Sequence, residues 1–295
     1  MAKDKKHKKN KHKDKKTRAK KLKGPTMAQT ADRHVMYQAA VQAVDVEVEF
    51  LDKLYHDLRG RRPLSFKEDF CGTALLSVEW CKSDPKRTAI GVDIDEETLQ
   101  WAQEHNLQPA GSDVASRVTL LKKDVREVHE PKVDITCAFN FSFCIFKTRD
   151  SLREYFAKAR EGIKQDGLLV LDIFGGTECL DELEEETELE DVKGTYVWEH
   201  AKFNPITNEI LCHIHFEFPD KSRIEKAFTY DWRLWTLPEL KELLEEAGYS
   251  KVRIYWEKFV NADDDDDYLE SSGEFYEATD VDNQESWHAY VIAEK

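Results

Sequence analysis

The sequence predicts an α/β fold with a doubly wound sheet and helices on both faces, and three observations along one stretch carry this prediction. Residues 64–70 have the pattern of a short strand that runs into a turn of small residues at 71–74. Residues 75–81 have helical character and lead to a second strand at 87–93. That strand ends in an acid and is followed by another helical segment. This order of elements is typical of one half of such a sheet.

The turn of small residues predicts a binding site for a ribose-bearing ligand. A strand aimed at a helix N-terminus leaves a crevice lined by backbone N–H groups, and Gly72 has no side chain to block a ligand there. Asp93 follows Gly72 by 21 residues, near the interval of about 20 residues at which an acid binds ribose hydroxyls. The turn lacks the G-x-G-x-x-G pattern of dinucleotide-binding loops, and the charge of Glu68 favours a cationic ligand over a phosphate.

At these residues the chain resembles the class I S-adenosylmethionine-dependent methyltransferases, whose first motif is an acid followed by alternating glycines. Glu68 matches the acid and Gly72 matches the second glycine. Phe70 and Ala74 stand where the family has its first and third glycines. The resemblance implies a Rossmann-like seven-stranded methyltransferase sheet and S-adenosyl-L-methionine as the cofactor.

Three later segments resemble the third, fourth and fifth strands of the same family. They are residues 118–125, 133–142 and 167–174. The resemblance implies that Asp93 contacts the ribose, that Asp124 contacts the adenine, and that the loop after the fourth strand lines the methyl-transfer site. The cofactor-binding residues that it implies are Tyr37, Glu68, Phe70, Cys71, Gly72, Thr73, Ala74, Asp93, Ile94, Asp124, Val125 and Asn140.

Charge is distributed unevenly along the chain. The 295 residues carry a net charge of −15, but residues 1–23 hold 12 Lys and 1 Arg against 2 Asp, which is +11 and leaves −26 on the remainder. Such a segment cannot bury apolar surface, so we expect a disordered Lys-rich tail over residues 1–26. The tail is a nuclear or nucleolar address, a nonspecific nucleic-acid arm through residues 3–23, a solubilising extension, or an arm that folds back on the acidic body.

Composition also limits the compartment and the kind of site. No apolar run reaches the roughly 18 residues of a membrane span, and no apolar core follows the basic start. We therefore expect a soluble intracellular protein without a membrane partner, cytoplasmic or, in a eukaryotic cell, nuclear or nucleolar. The six cysteines show no C-x-x-C spacing, so we expect them to be reduced and mostly buried, with no metal site. The oligomeric state stays open.

Residues 27–63 predict helices that cap the sheet. Gly60 and Pro63 end the second of these helices. In similar methyltransferases a helix here closes over the cofactor with an aromatic hydroxyl near its carboxylate, which makes Tyr37 and Arg33 the candidates; the alternative is that they only cover the sheet. Residues 64–295 then form the methyltransferase domain.

The alternation of strands and helices breaks after the fifth strand, where an antiparallel insertion is predicted at about 178–235. Within it, residues 180–192 are strongly acidic and predict a solvated helix or lid, and three alternating runs separated by turns predict a meander. Further predictions are Asp150 as the N-cap of a helix after the fourth strand, a capping box at Thr236 to Glu239, a sixth strand at 251–256, a mobile acidic loop at 261–277 and a seventh strand at 286–293.

The sequence offers no unmistakable catalytic base, and methyl transfer depends mainly on proximity and alignment. Asn140 begins the loop after the fourth strand, but the loop lacks the prolines of N-P-P-[YF], which disfavours methylation of adenine N6 or glutamine. The weak catalytic candidates are Asn140, Tyr230 and Arg233, because an aromatic run with an Arg suits an anionic or planar substrate. Packing is the other interpretation of Trp232 and Trp235 in this run.

Histidines on the meander are a further candidate site. His213 and His215 lie two residues apart and share one face of a strand, which suits a base or a metal pair. A pair without a third ligand is more often structural, so we predict no metal.

The favoured hypothesis is a methyltransferase that acts on an unidentified small-molecule methyl acceptor. Three alternatives remain. The first is an RNA- or protein-directed methyltransferase that uses the basic tail, and the second is a catalytically silent methyltransferase-like scaffold in a ribonucleoprotein. The third, a nicotinamide-dependent oxidoreductase, is disfavoured by the missing glycine pattern and by Glu68.

Overall fold

The computed structural model describes residues 24–261 and 269–295. Its helices are α1 (Met27–Thr30), α2 (Arg33–Val41), α3 (Val44–Arg59), α4 (Leu75–Lys82), α5 (Glu96–Ala102), α6 (Ser112–Ala115), α7 (Arg149–Gly162) and α8 (Leu237–Glu246). Its strands are β1 (Ser65–Asp69), β2 (Thr88–Asp93), β3 (Val118–Lys122), β4 (Val133–Ala138), β5 (Ile163–Gly175), β6 (Leu183–Glu188), β7 (Thr195–Asn204), β8 (Glu209–Glu217), β9 (Arg223–Arg233), β10 (Lys251–Asn261), β11 (Leu269–Ala278) and β12 (Trp287–Glu294).

Eight strands form one sheet in the order β11-β10-β12-β5-β4-β1-β2-β3. Strands β1 to β5 are parallel to one another, and β12 pairs antiparallel with both β5 and β10. The chain runs outward from β1 to β3 and then returns to β4 on the other side of β1. The reversal leaves a crevice at the carboxyl ends of these strands, where ligands bind in open α/β sheets. The predicted fold class is confirmed.

An eighth strand stands where the sequence predicts a mobile acidic loop over 261–277. This prediction is wrong for residues 269–277, which belong to β11 and pair antiparallel with β10. Phe275 supplies an apolar face for β11, because its ring packs against the ring of Phe50 at 5.6 Å between centroids. Residues 262–268 lie outside the described part of the chain.

Strand β1 buries charged side chains on both faces. Lys67 and Asp69 are each 1% exposed and Glu68 is 6% exposed, because β1 lies between β2 and β4 in the middle of the sheet. Lys67 Nζ lies 3.0 Å from Asp69 Oδ1 and donates to the carbonyl oxygen of Val128 at 2.9 Å. The hydroxyl of Tyr155 donates to Asp69 Oδ2 at 3.0 Å. An ion pair with two further hydrogen bonds therefore lies under the turn that follows β1.

A second sheet of four antiparallel strands, β6-β7-β8-β9, forms the insertion. The predicted meander is confirmed as β7 to β9. The acidic segment before it is not a helix, because Leu183–Glu188 pairs with β7 along its length. Five of the six residues of β6 are exposed, so its carboxylates stay in solvent on an edge strand.

The helix ends follow the sequence signals with one exception. Gly60 ends α3 in the left-handed region, and the capping box of Thr236 and Glu239 opens α8, as predicted. The cap of α7 is Thr148, whose hydroxyl accepts from Ser151 N, so Asp150 lies in the first turn instead.

Other expectations concern the termini and the cysteines. All six cysteines are free and buried. The described residues contain no helix long and apolar enough to cross a membrane. Of the predicted basic tail at 1–26, residues 1–23 lie outside the described part of the chain.

Candidate functional site

The turn after β1 enters the left-handed region at every second residue. Phe70, Gly72 and Ala74 have φ angles of 59°, 50° and 54°, and these are the positions at which the family motif has glycines. A side chain in this region costs roughly 1–2 kcal/mol per residue, so Phe70 and Ala74 hold strained backbone. The turn therefore keeps the alternating left-handed path although two of its glycines are replaced.

Asp93 lies beside this turn at the end of β2. Its carboxylate accepts hydrogen bonds from the backbone N–H groups of Gly72 at 2.8 Å and Asp95 at 2.9 Å. A Cβ built on Gly72 would meet no atom within 4 Å. Ile94 is 72% exposed next to Asp93. The crevice therefore combines open space at Gly72, a carboxylate and an exposed apolar side chain.

The carboxylate of Glu68 is buried beside the first turn of α4. It accepts hydrogen bonds from the backbone N–H and the hydroxyl of Ser77 at 3.0 and 2.5 Å, because the first turn of α4 has unpaired N–H groups. Burial raises the pKa of Glu68 to about 7. Glu68 therefore anchors α4 beneath the turn. Its neighbour Cys71 is also buried, at 2% exposure.

Asp124 and Val125 follow β3 at the same edge of the sheet. Asp124 accepts hydrogen bonds from Arg126 Nε at 2.9 Å and Arg126 Nη2 at 2.6 Å, and these bonds lower the pKa of Asp124. Asp124 is therefore ionised at neutral pH. Val125 is buried at 5% exposure.

Helix α2 is tied to the turn and to α5. Gln38 Nε2 donates to the hydroxyl of Thr73 at 2.8 Å, and Asn106 donates to the Thr73 carbonyl at 2.8 Å. Trp101 Nε1 donates to Asp32 Oδ2, at the start of α2, at 2.7 Å. The bonds from Gln38 and Trp101 hold α2 against the turn and α5.

The N-terminal helices are also tied to the insertion. Met27 N donates to Asp220 Oδ2 at 2.8 Å, and Ala28 N donates to the hydroxyl of Ser222 at 3.0 Å. Arg33 donates to the carbonyl of Ala227 at 3.5 Å and lies over the Phe228 ring. Arg33 is therefore engaged by β9. The segment α1–α2 thus joins the crevice to the four-stranded sheet, and we call it the cap.

The turn after β4 is held by an acid that the sequence reasoning missed. Asn140 and Phe141 have φ angles of 55° and 57°, and their backbone N–H groups donate to Asp172 Oδ2 at 2.7 Å and Asp172 Oδ1 at 2.9 Å. Burial raises the pKa of Asp172 to about 7. The signal in the sequence was a single acid near the end of the otherwise apolar run 168–174.

A cavity of about 630 Å³ opens at Asn140, between the edge of the large sheet, the cap, α3 and the insertion. Four carboxylates lie on its wall, from Glu47, Asp172, Glu185 and Glu257. The rest of the wall is mainly aromatic, formed by Tyr37, Phe141, Phe174, Tyr196, Trp198, Tyr230, Trp232, Phe259, Phe275, Trp287 and Tyr290.

The structure brings two of the three catalytic candidates to this cavity. Asn140 and Tyr230 line it, and the hydroxyl of Tyr230 is hydrogen-bonded to that of Tyr37. Arg233 does not line it, because its guanidinium donates to Glu239 at 2.8 Å and stacks on Trp235 at 3.8 Å. The expected contact between Arg233 and an acceptor is therefore corrected to a role in anchoring α8.

The two tryptophans of the aromatic run, Trp232 and Trp235, also differ in whether they face the cavity. Trp235 is 2% exposed and its Nε1 donates to the carbonyl of Phe146 at 3.2 Å, so it packs α8 onto the core. Trp232, at 3% exposure, belongs to the same core but also faces the cavity.

The histidines of the insertion have local partners. His213 Nδ1 lies 2.9 Å from the hydroxyl of Thr229, and His215 lies between Glu199 at 2.8 Å and Glu225 at 2.9 Å. Side-chain atoms that could bind a metal ion, one each from Glu184, Glu199 and His215, lie within 4.8 Å of one another. Glu184 is also paired with Arg223 at 3.2 Å. One carboxylate of this group is therefore already paired with a cation.

Comparisons with known proteins were made by sequence and by structure. No family model and no curated protein matches the chain. A S-adenosylmethionine-dependent methyltransferase from Clostridium acetobutylicum is similar in structure, with a TM-score of 0.62 at 14% identity over 88% of this chain and 96% of that one.

Two further similar structures are enzymes of named substrate. One is CalS10, an amino pentose methyltransferase from Micromonospora echinaspora, with a TM-score of 0.59 at 12% identity over 88% of this chain and 95% of that one. The other is the sugar N-methyltransferase KedS8 from a Streptoalloteichus species, with a TM-score of 0.59 at 13% identity over 94% and 97% of the two chains. The strand order, the left-handed turn after β1 and these similarities together show that the chain has the fold of the class I S-adenosylmethionine-dependent methyltransferases.

Proposed function

We propose that this protein is a S-adenosylmethionine-dependent methyltransferase that acts on a small-molecule acceptor. The observation that carries the proposal is the turn after β1. It keeps left-handed backbone at Phe70, Gly72 and Ala74, at a cost in strain that a merely structural turn would not need. Strain of this kind clusters at ligand sites.

The residues at the crevice fit the proposed cofactor. The space beside Gly72 lets backbone approach the ligand closely. Asp93 has acceptor capacity beyond its two backbone donors, which suits ribose hydroxyls. Asp124 is held ionised by Arg126 and suits the amino group of an adenine. When bound, the cofactor supplies a methyl group on a sulfonium that is its own leaving group.

Other parts of the chain align the two reactants and exclude water from them. Asp172 fixes the turn at Asn140 and Phe141, which borders both the crevice and the cavity. The cap closes over the crevice through Gln38 and Asp32. Holding two reactants in one geometry is the main contribution that a protein makes to such a transfer.

The size of the cavity favours a small acceptor. Its volume of about 630 Å³ lies within the range of roughly 300–1,000 Å³ that small-molecule sites occupy. The similar structures CalS10 and KedS8 are described as acting on an amino pentose and a sugar, which supports an acceptor of this size.

Calorimetry with the full chain tests the cofactor. We expect S-adenosylmethionine and S-adenosylhomocysteine to bind with micromolar dissociation constants and NADH to give no heat at the same concentrations. Binding of NADH without binding of either sulfur compound would overturn the proposal.

A transfer assay tests the acceptor. The full chain is incubated with methyl-labelled S-adenosylmethionine and with separated metabolite, protein and RNA fractions of the source cell. We expect label in the metabolite fraction. Label confined to RNA or to protein would contradict a small acceptor while leaving methyl transfer intact.

A further inference from the structure

We propose that the aromatic cavity binds a protonated amine, which makes the methyl acceptor an amino compound. The identification of the occupant as an acceptor rests on the function proposed above, whereas the binding of an amine is a property of the cavity itself. Three features of the wall carry the inference: converging carboxylates, the lack of a charged base beside Glu47 and Asp172 among the described residues, and a cluster of aromatic rings.

Carboxylates converge on one end of the cavity from three elements. Glu47 comes from α3, Asp172 from β5 and Glu257 from β10, and all three act electrostatically on the hydroxyl of Tyr290 between them. Asp172 is 6% exposed, and Glu47 is partly covered and faces the cavity. Burial, together with the charge of Asp172, raises the pKa of Glu47 to about 8.

The described residues of the wall place no cation beside Glu47 or Asp172. Neither Lys nor Arg is among them, and His288 is the basic side chain. His288 lies 4.0 Å from oxygens of Asp172 and Glu257, but burial lowers its pKa to about 4, so it is neutral at pH 7. Buried carboxylates are normally paired with cations. A ligand with positive charge would complete the arrangement.

Aromatic rings from two strands of the insertion form another part of the wall. The ring centroids of Tyr230 and Trp232 lie 4.4 Å apart, and that of Trp198 lies 5.8 Å from Tyr230 and 6.2 Å from Trp232. Electron-rich ring faces attract ammonium groups within about 6 Å. An anionic acceptor would be repelled by the acidic side chains of the wall, whereas an ammonium would donate charge-assisted hydrogen bonds to Glu47. The wall therefore selects for a cation.

The same acidic side chains can accept the proton that the ammonium must lose before methylation. An ammonium has no lone pair, so one N–H proton must leave nitrogen before it can act as a nucleophile. Proton transfer to a carboxylate oxygen of Asp172 gives the neutral amine and a carboxylic acid, and Glu47 can accept the proton in the same way once the bound ammonium has stabilised its ionised form. The pKa values of about 8 for Glu47 and about 7 for Asp172 lie near neutral pH, where a general base is most effective.

Calorimetry with matched probe pairs tests the inference. The full chain, with and without saturating S-adenosylhomocysteine, is titrated with benzylamine and benzyl alcohol, cyclohexylamine and cyclohexanol, and glucosamine and glucose. We expect at least one amine to bind about tenfold or more tightly than its alcohol, and to bind alongside S-adenosylhomocysteine.

Two variants of α3 test whether Glu47 contributes to binding of the amine. Glu47→Gln should weaken binding of that amine about tenfold. Glu49→Gln makes the same change on the exposed side of α3 and should leave it unchanged. Circular dichroism of both variants verifies that the fold is kept.

The inference is overturned if alcohols bind as tightly as amines, if no amine binds, or if Glu49→Gln acts as strongly as Glu47→Gln. Displacement of the amine by S-adenosylhomocysteine would also overturn it, because the carboxylates would then serve the cofactor. These outcomes are separate from failure of the proposed function, which shows as lack of S-adenosylhomocysteine binding.

Discussion

Replacing Lys67 by methionine should strongly destabilise the protein at pH 7. The side chains of Lys67 and Asp69 are 2% and 0% exposed, and methionine fills a similar volume without the charge. The carboxylate of Asp69 contacts Lys67 and the hydroxyl of Tyr155. Of these two groups, the variant keeps the hydroxyl.

The size of the effect follows from the cost of neutralising Asp69. An aspartate with an unfolded pKa of about 3.9 costs about 4 kcal/mol to protonate at pH 7 and about 1.5 kcal/mol at pH 5. Loss of the hydrogen bond to the Val128 carbonyl adds about 1 kcal/mol. We therefore expect Lys67→Met to lower the free energy of unfolding by about 5 kcal/mol at pH 7 and about 2.5 kcal/mol at pH 5.

Urea unfolding at the two pH values measures this difference. Lys82→Met is the matched control, because Lys82 pairs with Glu79 at 3.1 Å but is 43% exposed, and its loss should cost less than about 1 kcal/mol. The double variant Lys67→Met/Asp69→Leu should recover most of the stability. The reasoning is refuted if Lys67→Met costs no more than the control at pH 7, or costs equally at both pH values.

Three further predictions concern the crevice and the buried acids. Asp93→Ala should weaken S-adenosylhomocysteine binding by about 2–4 kcal/mol with circular dichroism unchanged; unaltered affinity in calorimetry would contradict the role of Asp93 at the ribose. Gly72→Val should abolish that binding, since its side chain would enter the open space in a strained backbone conformation, whereas Cys71→Ser should retain it; equal affinities would mean that the ligand lies elsewhere. The melting temperature should fall between pH 7 and pH 8.5, because the pKa of Glu47 is raised to about 8 in the folded state and the folded state then binds more protons than the unfolded state. Glu47→Gln should reduce this slope, and a slope identical to that of the parent protein would show that Glu47 does not titrate as described.

Local signals predicted the centre of the fold well. The strand, turn, helix and acid around Gly72 and Asp93 lie within one stretch of chain, so spacing alone places them at one crevice. The meander was predictable for the same reason, since turn residues separate its strands.

Features that depend on distant partners were not predictable. The role of Asp172 depends on hydrogen bonds from two backbone N–H groups more than 30 residues away in sequence. The residues next to Asp172 in the sequence do not indicate these bonds. Tyr230 and Arg233 belong to one aromatic run, yet only Tyr230 reaches the cavity, because which face of β9 points inward depends on its pairing with β8. Strand β11 depends on pairing with β10 across an acidic insertion.

The cap links the opening of two compartments, the crevice beside the turn after β1 and the aromatic cavity. It is bonded to Thr73 at the crevice and to Asp220 and Ser222 on the insertion, and a link of two residues separates α2 from α3. A segment tied at both ends opens both compartments or neither, so we expect that neither substrate has to bind before the other can enter. Random-order initial-rate kinetics would be the signature, whereas strictly ordered entry would mean that the two compartments open separately.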